Sequence, residues 1–198
     1  MITPENLHYR ELVNAVEQAL KGGADIVQYR AKKKNGKQML EEAVALKKLC
    51  KRYNVPLIVN DRVDIAIISG ANGVHVGQDD IPSQYVRSLI GEGKILGLST
   101  KTLAQVEEAN YLPVDYIGFG SVFETSTKED ATLAGIENLK KAVKLSIQPV
   151  VAIGGISIEN IAEVIKTGCK HVAVVSAVFA AEDITKATKE LKKRLEGK

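Results

Sequence analysis

The stretch PVVAIGGISIENIAEVIKTGCKHVAVVSA, Pro149 to Ala177, carries the pattern that decides the fold. Two apolar runs rich in Val and Ile, Pro149 to Gly155 and His171 to Ser176, flank a segment in which Ile158, Ile161, Val164 and Ile165 recur at helical spacing. Near-continuous hydrophobicity suits strands covered on both faces, and Gly168 is placed to end the helix between them. The unit reads as strand, helix and parallel strand joined by a right-handed crossover.

Working outward, the same alternation fills the chain. Further apolar runs stand at Ala24 to Arg30, Val55 to Asn60, Gly73 to Val76, Lys94 to Ser99 and Tyr116 to Gly120. Between them lie helical patterns such as Leu12, Val16, Ala19 and Leu20, and Leu40, Ala43 and Val44. Gly22 and Gly23 end the first helix, Pro82 opens the fourth and Asp183 caps the last. Seven strands and eight helices in 198 residues predict a single-domain (βα)8 TIM barrel over residues 1–198. Only Met1 to Thr3 precede Pro4, so the first strand is expected to be shortened. An open doubly wound sheet is the alternative; it would gather polar residues at one switch point, whereas here they end nearly every strand.

Composition narrows the partners. Hydrophobic residues make up 45% of the chain, and Lys plus Arg number 27 against 24 for Asp plus Glu, a net charge of +3. That balance lacks the basic excess of a nucleic-acid binder. The opening residues lack the n-region and h-region of a signal peptide, and no apolar run approaches membrane-spanning length. Cys50 and Cys169 have neither CxxC nor metal-ligand spacing and read as reduced thiols. A cytoplasmic protein acting on small molecules is expected, with room for a homo-oligomer.

The strand ends supply the candidate chemistry. Asp61 and Asp80 follow neighbouring strands, so their carboxylates can converge; such a pair suits Mg²⁺, which takes few protein carboxylates and keeps positions for water and phosphate oxygens. The competing assignment has each aspartate capping the helix that follows it. Arg30 ends an apolar strand beside Gln28 and is expected to enter the barrel mouth, whereas Lys33, Lys34 and Lys37 read as a solvated face. The glycines of VAIGGIS and the Val174 to Ser176 segment one strand later stand where barrels bind phosphate, although a tightly packed glycine turn gives the same string. His75, in mid-strand, reads as a packed histidine, and no Ser/His/Asp or Cys/His set can be assembled.

Six strings resemble the thiamine phosphate synthase family in order and spacing: QYRAK (Gln28 to Lys32), NDRVDIA (Asn60 to Ala66), GVHVGQDDIP (Gly73 to Pro82), TSTK (Thr125 to Lys128), VAIGGI (Val151 to Ile156) and VVSA (Val174 to Ala177). The resemblance implies coupling of hydroxymethylpyrimidine diphosphate to a thiazole phosphate. Gln28, Arg30, Lys32, Asn60, Ser99 and Lys128 would hold the pyrimidine diphosphate, and of these Arg30, Lys32, Ser99 and Lys128 would be catalytic. Asp61 and Asp80 would bind Mg²⁺. Thr125, Thr127, Gly155, Val175 and Ser176 would bind the thiazole phosphate.

The stretch GFGSVFET, Gly118 to Thr125, departs from that pattern. Synthases usually carry proline where Ser121 and Glu124 stand, and the stretch is more similar to thiazole tautomerases, which have a catalytic histidine at the position of Ser121. A tautomerase-like paralogue is therefore one alternative. A phosphate-binding barrel without catalysis is another, motivated by the short first strand.

Overall fold

The computed structural model describes residues 1–125 and 133–197. Seven strands pair in sequence order, all parallel: β1 (Val27–Tyr29), β2 (Leu57–Asn60), β3 (Gly73–Val76), β4 (Ile95–Thr100), β5 (Tyr116–Phe119), β6 (Val150–Ile153) and β7 (His171–Ala173). The order never reverses, which overturns the doubly wound alternative. The sheet curls, and each strand begins shortly after the helix that precedes it.

Residues Met1 to Thr3 lie between the two ends of this sheet. Ile2 bridges Gln28 in parallel, and its N–H donates to the Val174 carbonyl at 3.0 Å. The Gln28 N–H donates to Met1 O at 2.8 Å and the Thr3 N–H to Gln28 O at 2.9 Å. A stub of three residues thus satisfies backbone groups on both edges that would otherwise stand unpaired.

Among the described residues the helices are α1 (Tyr9–Lys21), α2 (Gly36–Arg52), α3 (Val63–Ile68), α4 (Ser83–Ile90), α5 (Leu103–Ala109), α6 (Ile136–Leu145), α7 (Ile161–Lys166), α8 (Ser176–Phe179) and α9 (Ile184–Leu195). The apolar stripe of α1 buries Leu12, Ala15, Val16, Ala19 and Leu20. Asn35 caps α2 by accepting from the Gln38 N–H at 3.0 Å, and Asp183 caps α9 by accepting from the Lys186 N–H at 2.9 Å; such a cap contributes about 1 kcal/mol. The one-turn α8 is not visible in the sequence pattern, because four residues cannot display a helical period.

Leu57, Ile58 and Val59 are fully buried, as expected of a parallel strand covered on both faces. Cys50 and Cys169 are buried and free, and burial pushes the Cys50 thiol up to about 11. No helix among the described residues is long and apolar enough to cross a membrane.

At the amino ends of β4 and β5, Arg87 is a closed structural knot. Its guanidinium donates to Pro113 O (3.1 Å), Gly91 O (3.0 Å), Lys94 O (2.7 Å) and the Asp115 carboxylate (2.7 Å). Asp115 also accepts from the Leu96 N–H at 2.7 Å, tying the start of β4 to the start of β5.

Candidate active site

A cleft of about 530 Å³ opens at the carboxyl ends of the strands, lined by Arg30, Ser99, Gly155, Val175 and Ser176 among others. Thr125 also faces it. One wall is the segment from Ile2 to Leu7, and Lys101 adds a cation beside β4; neither carries a motif that marks it in the sequence. Thr127 and Lys128 lie outside the described residues.

Asp61 and Asp80 do converge. The Asp61 carboxyl is held above the usual carboxylate range, first by burial and then by the neighbouring Asp80 carboxylate, with which it is within hydrogen-bonding reach. Neither caps a helix: α3 has Arg62 at its N-cap, α4 has Pro82, and Asp80 instead accepts from the Gly77 N–H at 2.7 Å. Asp61 sits at φ 62° and its N–H donates to His75 O at 2.8 Å, so the chain turns left-handed as it leaves β2. Aspartate tolerates that conformation better than most residues, yet it is a strained way to end a strand. Two crowded carboxylates from neighbouring loops, one of them on a constrained turn, fit a hard divalent cation. No described group of three or more His, Cys, Asp or Glu side chains surrounds a common point, so a cation here would take most of its ligands from water or substrate.

A cation stands against the pair. Lys32 Nζ lies 3.5 Å from Asp61 Oδ2 and is half exposed. Arg30 lines the cleft, with Nη1 3.5 Å from Glu5 Oε2. Lys34 departs from the solvated face expected of it. Its ammonium donates to both oxygens of the buried Glu42 at 2.7 and 2.9 Å, and Glu42 accepts from the Tyr29 hydroxyl at 2.6 Å. A buried carboxylate needs such a partner, and the lysine run alone could not reveal one on α2.

Deeper in the molecule a polar chain crosses the concave face of the sheet. Gln28 bonds the Tyr116 hydroxyl, which lies 2.9 Å from His75 Nδ1, and His75 Nε2 lies 2.9 Å from Ser99 Oγ. A neutral imidazole donates at one nitrogen and accepts at the other, so His75 can fix the hydroxyl of Ser99 from below. Burial raises the Tyr116 phenol, keeping it neutral. Gly97 is glycine because a Cβ there would stand 2.2 Å from the Tyr116 ring and 2.4 Å from His75 Nδ1. Gln78 holds the same rim, its amide donating to Ser99 O at 2.7 Å. The packed histidine expected from mid-strand placement is therefore also a support for a candidate site residue, and Asn60 is buried at the adjacent strand end.

Across the cleft the site is made of backbone. Gly155 adopts φ 63°, and a Cβ on it would meet the Glu124 carbonyl at 2.3 Å. The Phe123 N–H donates to Gly154 O at 3.1 Å and Asn160 Nδ2 to Gly155 O at 2.8 Å. Loop packing alone therefore demands glycine here, whatever the turn also binds. Val175 and Ser176 begin α8, where the first helical N–H groups lack partners within the helix. Ser121 does not present a free hydroxyl; it donates to Phe123 O at 2.6 Å and braces the loop.

The family model described as thiamine monophosphate synthase matches residues 1–178. A thiamine-phosphate synthase of Persephonella marina is 55% identical over 99% of this chain and 94% of its own length. Thiamine-phosphate synthase 1 of Aquifex aeolicus is 47% identical over 93% and 86%. The solved thiamine phosphate pyrophosphorylase of Pyrococcus furiosus superposes with a TM-score of 0.90 at 40% identity, covering 99% of this chain and 95% of that one. On the family match over residues 1–178 and these identities, this chain belongs to the thiamine monophosphate synthase family.

Proposed function

We propose that the protein is a thiamine phosphate synthase that joins hydroxymethylpyrimidine diphosphate to thiazole phosphate and releases diphosphate. The observation that carries the reading is the convergence of Asp61 and Asp80, neither of them capping a helix, with Lys32 3.5 Å from Asp61. Identity of 55% to a thiamine-phosphate synthase supports it. Met1 to Thr3 act as the first strand of a closed eight-stranded barrel, a reading supported by their hydrogen bonds to Gln28 and Val174. The same reading takes residues 1–198 as one domain that works in the cytoplasm on small molecules, with self-assembly compatible.

Asp61 and Asp80 would hold Mg²⁺, which when bound neutralises charge on the diphosphate. Gln28, Asn60 and Ser99 orient the pyrimidine, with the Ser99 hydroxyl held by His75. Arg30, Lys32 and Lys128 receive the diphosphate as its bond to the pyrimidine methylene breaks and the electron pair leaves with oxygen. Thr125, Thr127, Gly155, Val175 and Ser176 hold the thiazole phosphate, aligning the ring nitrogen whose lone pair forms the new carbon–nitrogen bond. That nitrogen carries no proton, so the step calls for orientation and electrostatic stabilisation rather than a general base. The Ser121 hydroxyl is committed to the Phe123 carbonyl, where a tautomerase would place a histidine.

Purified protein given both substrates and Mg²⁺ should release thiamine phosphate and diphosphate in equal amounts, and chelation should stop it. Isomerisation of a thiazole carboxylate with no thiamine phosphate formed would overturn the synthase reading in favour of a tautomerase.

A further inference from the structure

We propose that Glu5 is a positioning residue that aims Arg30 at the departing diphosphate; the inference rests on the reading of Arg30 as a diphosphate ligand. The loop after β1 is tied to the cleft wall before α1 at three places. The Thr3 hydroxyl accepts from the Arg30 N–H at 3.0 Å and lies 3.4 Å from the Arg30 carbonyl. Glu5 Oε1 accepts from the Lys33 N–H at 2.5 Å, while Oε2 faces Arg30 Nη1 at 3.5 Å. Lys34 Nζ donates to Leu7 O at 2.9 Å.

These ties have a geometric consequence. The Glu5 carboxylate is anchored through one oxygen to loop backbone, so the other oxygen is a fixed point against which the guanidinium turns. The pair is long and one-sided, and a guanidinium has five N–H donors in a rigid fork. Glu5 engages one corner and leaves the rest for an anion in the cleft that both residues line. A carboxylate placed to neutralise Arg30 outright would sit closer and engage two donors. Orientation is worth much in such a step, since misplacing a reacting group by an ångström can cost roughly 10²-fold in rate.

The test is a double-mutant cycle of Glu5→Ala, Glu5→Gln and Arg30→Ala. Glu5→Ala should lower kcat about tenfold with little change in the KM for the pyrimidine diphosphate, as expected when only a transition-state interaction is lost. Glu5→Gln keeps an acceptor for the Lys33 N–H and should recover part of that loss. Adding Glu5→Ala to Arg30→Ala should cost nothing further. Losses that multiply, or a Glu5→Ala enzyme that binds diphosphate more tightly at undiminished kcat, would overturn the proposal and make Glu5 a mere competitor for Arg30. If Glu5→Ala melts at lower temperature than the parent, Glu5→Gln carries the cycle. Free diphosphate carries on its released oxygen the charge that the substrate lacks, so the same cycle on diphosphate binding by calorimetry reports the aimed contact and separates the two readings. A parent that forms no thiamine phosphate, yet in which Arg30→Ala weakens diphosphate binding less once Glu5 is gone, would sink the synthase and keep the positioning role; equal weakening in both backgrounds would overturn the positioning role itself.

Discussion

The two ends of the curled sheet use the same ionic chemistry to opposite effect. At the amino end, the Arg87 side chain is 8% exposed and spends its donors on three carbonyls and Asp115, all between 2.7 and 3.1 Å. At the carboxyl end, the Arg30 side chain is 22% exposed, its pair with Glu5 spans 3.5 Å, and so does the pair of Lys32 with Asp61. One region is closed, with little left to bind anything. The other is held open, with two carboxylates crowded together and Lys32 only loosely compensating one of them. Closed geometry converts charge into stability, whereas open geometry stores it for a ligand. This division matches barrels generally, whose lower face serves stability and whose upper face serves chemistry.

The comparison can be broken most sharply at the carboxylates. Asp61→Asn and Asp80→Asn should each cut coupling on the order of 10³-fold at fixed Mg²⁺, because a neutral amide withdraws half of the charge offered to the ion. Asparagine tolerates the left-handed backbone at position 61 as aspartate does, so the change isolates charge. Removing one of two repelling groups should leave the melting temperature equal or higher. A melting temperature that falls with activity would mean the pair is structural.

The converse is expected at Arg87. Arg87→Met keeps the aliphatic stem but strands three carbonyls and Asp115, a loss on the order of 3 kcal/mol given that Asp115 stays reachable by water. For a chain of this length that lowers the melting temperature by roughly 6–12 °C, while kcat of the folded fraction should hold within twofold or so. A kinetic defect without a thermal one would show that the lower end communicates with the site.

The smallest effect should come from salt. On the proposed site, diphosphate binding should weaken several-fold between low and high ionic strength, because Arg30 and Lys32 keep contact with solvent, and thiazole phosphate binding through backbone around Gly155 and Val175 should weaken less. Equal slopes in calorimetry would mean the two sides of the cleft are electrostatically alike.

Residue order by itself determined the seven strands, helix limits at Gly22, Pro82 and Asp183, and strand ends rich in polar residues. Those signals are local: apolar runs such as Val55 to Asn60, a helical period in Leu12 to Leu20 and a capping aspartate at 183 each lie within a few neighbours of one another. Family strings extended this to the site, since QYRAK and NDR mark positions whose spacing the fold preserves. Tertiary structure alone decided which charges meet. Glu5 finds Arg30 across 25 residues, Lys34 turns inward to Glu42 rather than out to water, and His75 stands between Tyr116 and Ser99 from two other strands. It also decided that Asp61 and Asp80 face each other instead of capping helices, and that Gly155 answers to the Glu124 carbonyl as well as to any phosphate. Side-chain pairing between distant segments depends on strand register and barrel curvature, and neither has a local trace in the order of residues.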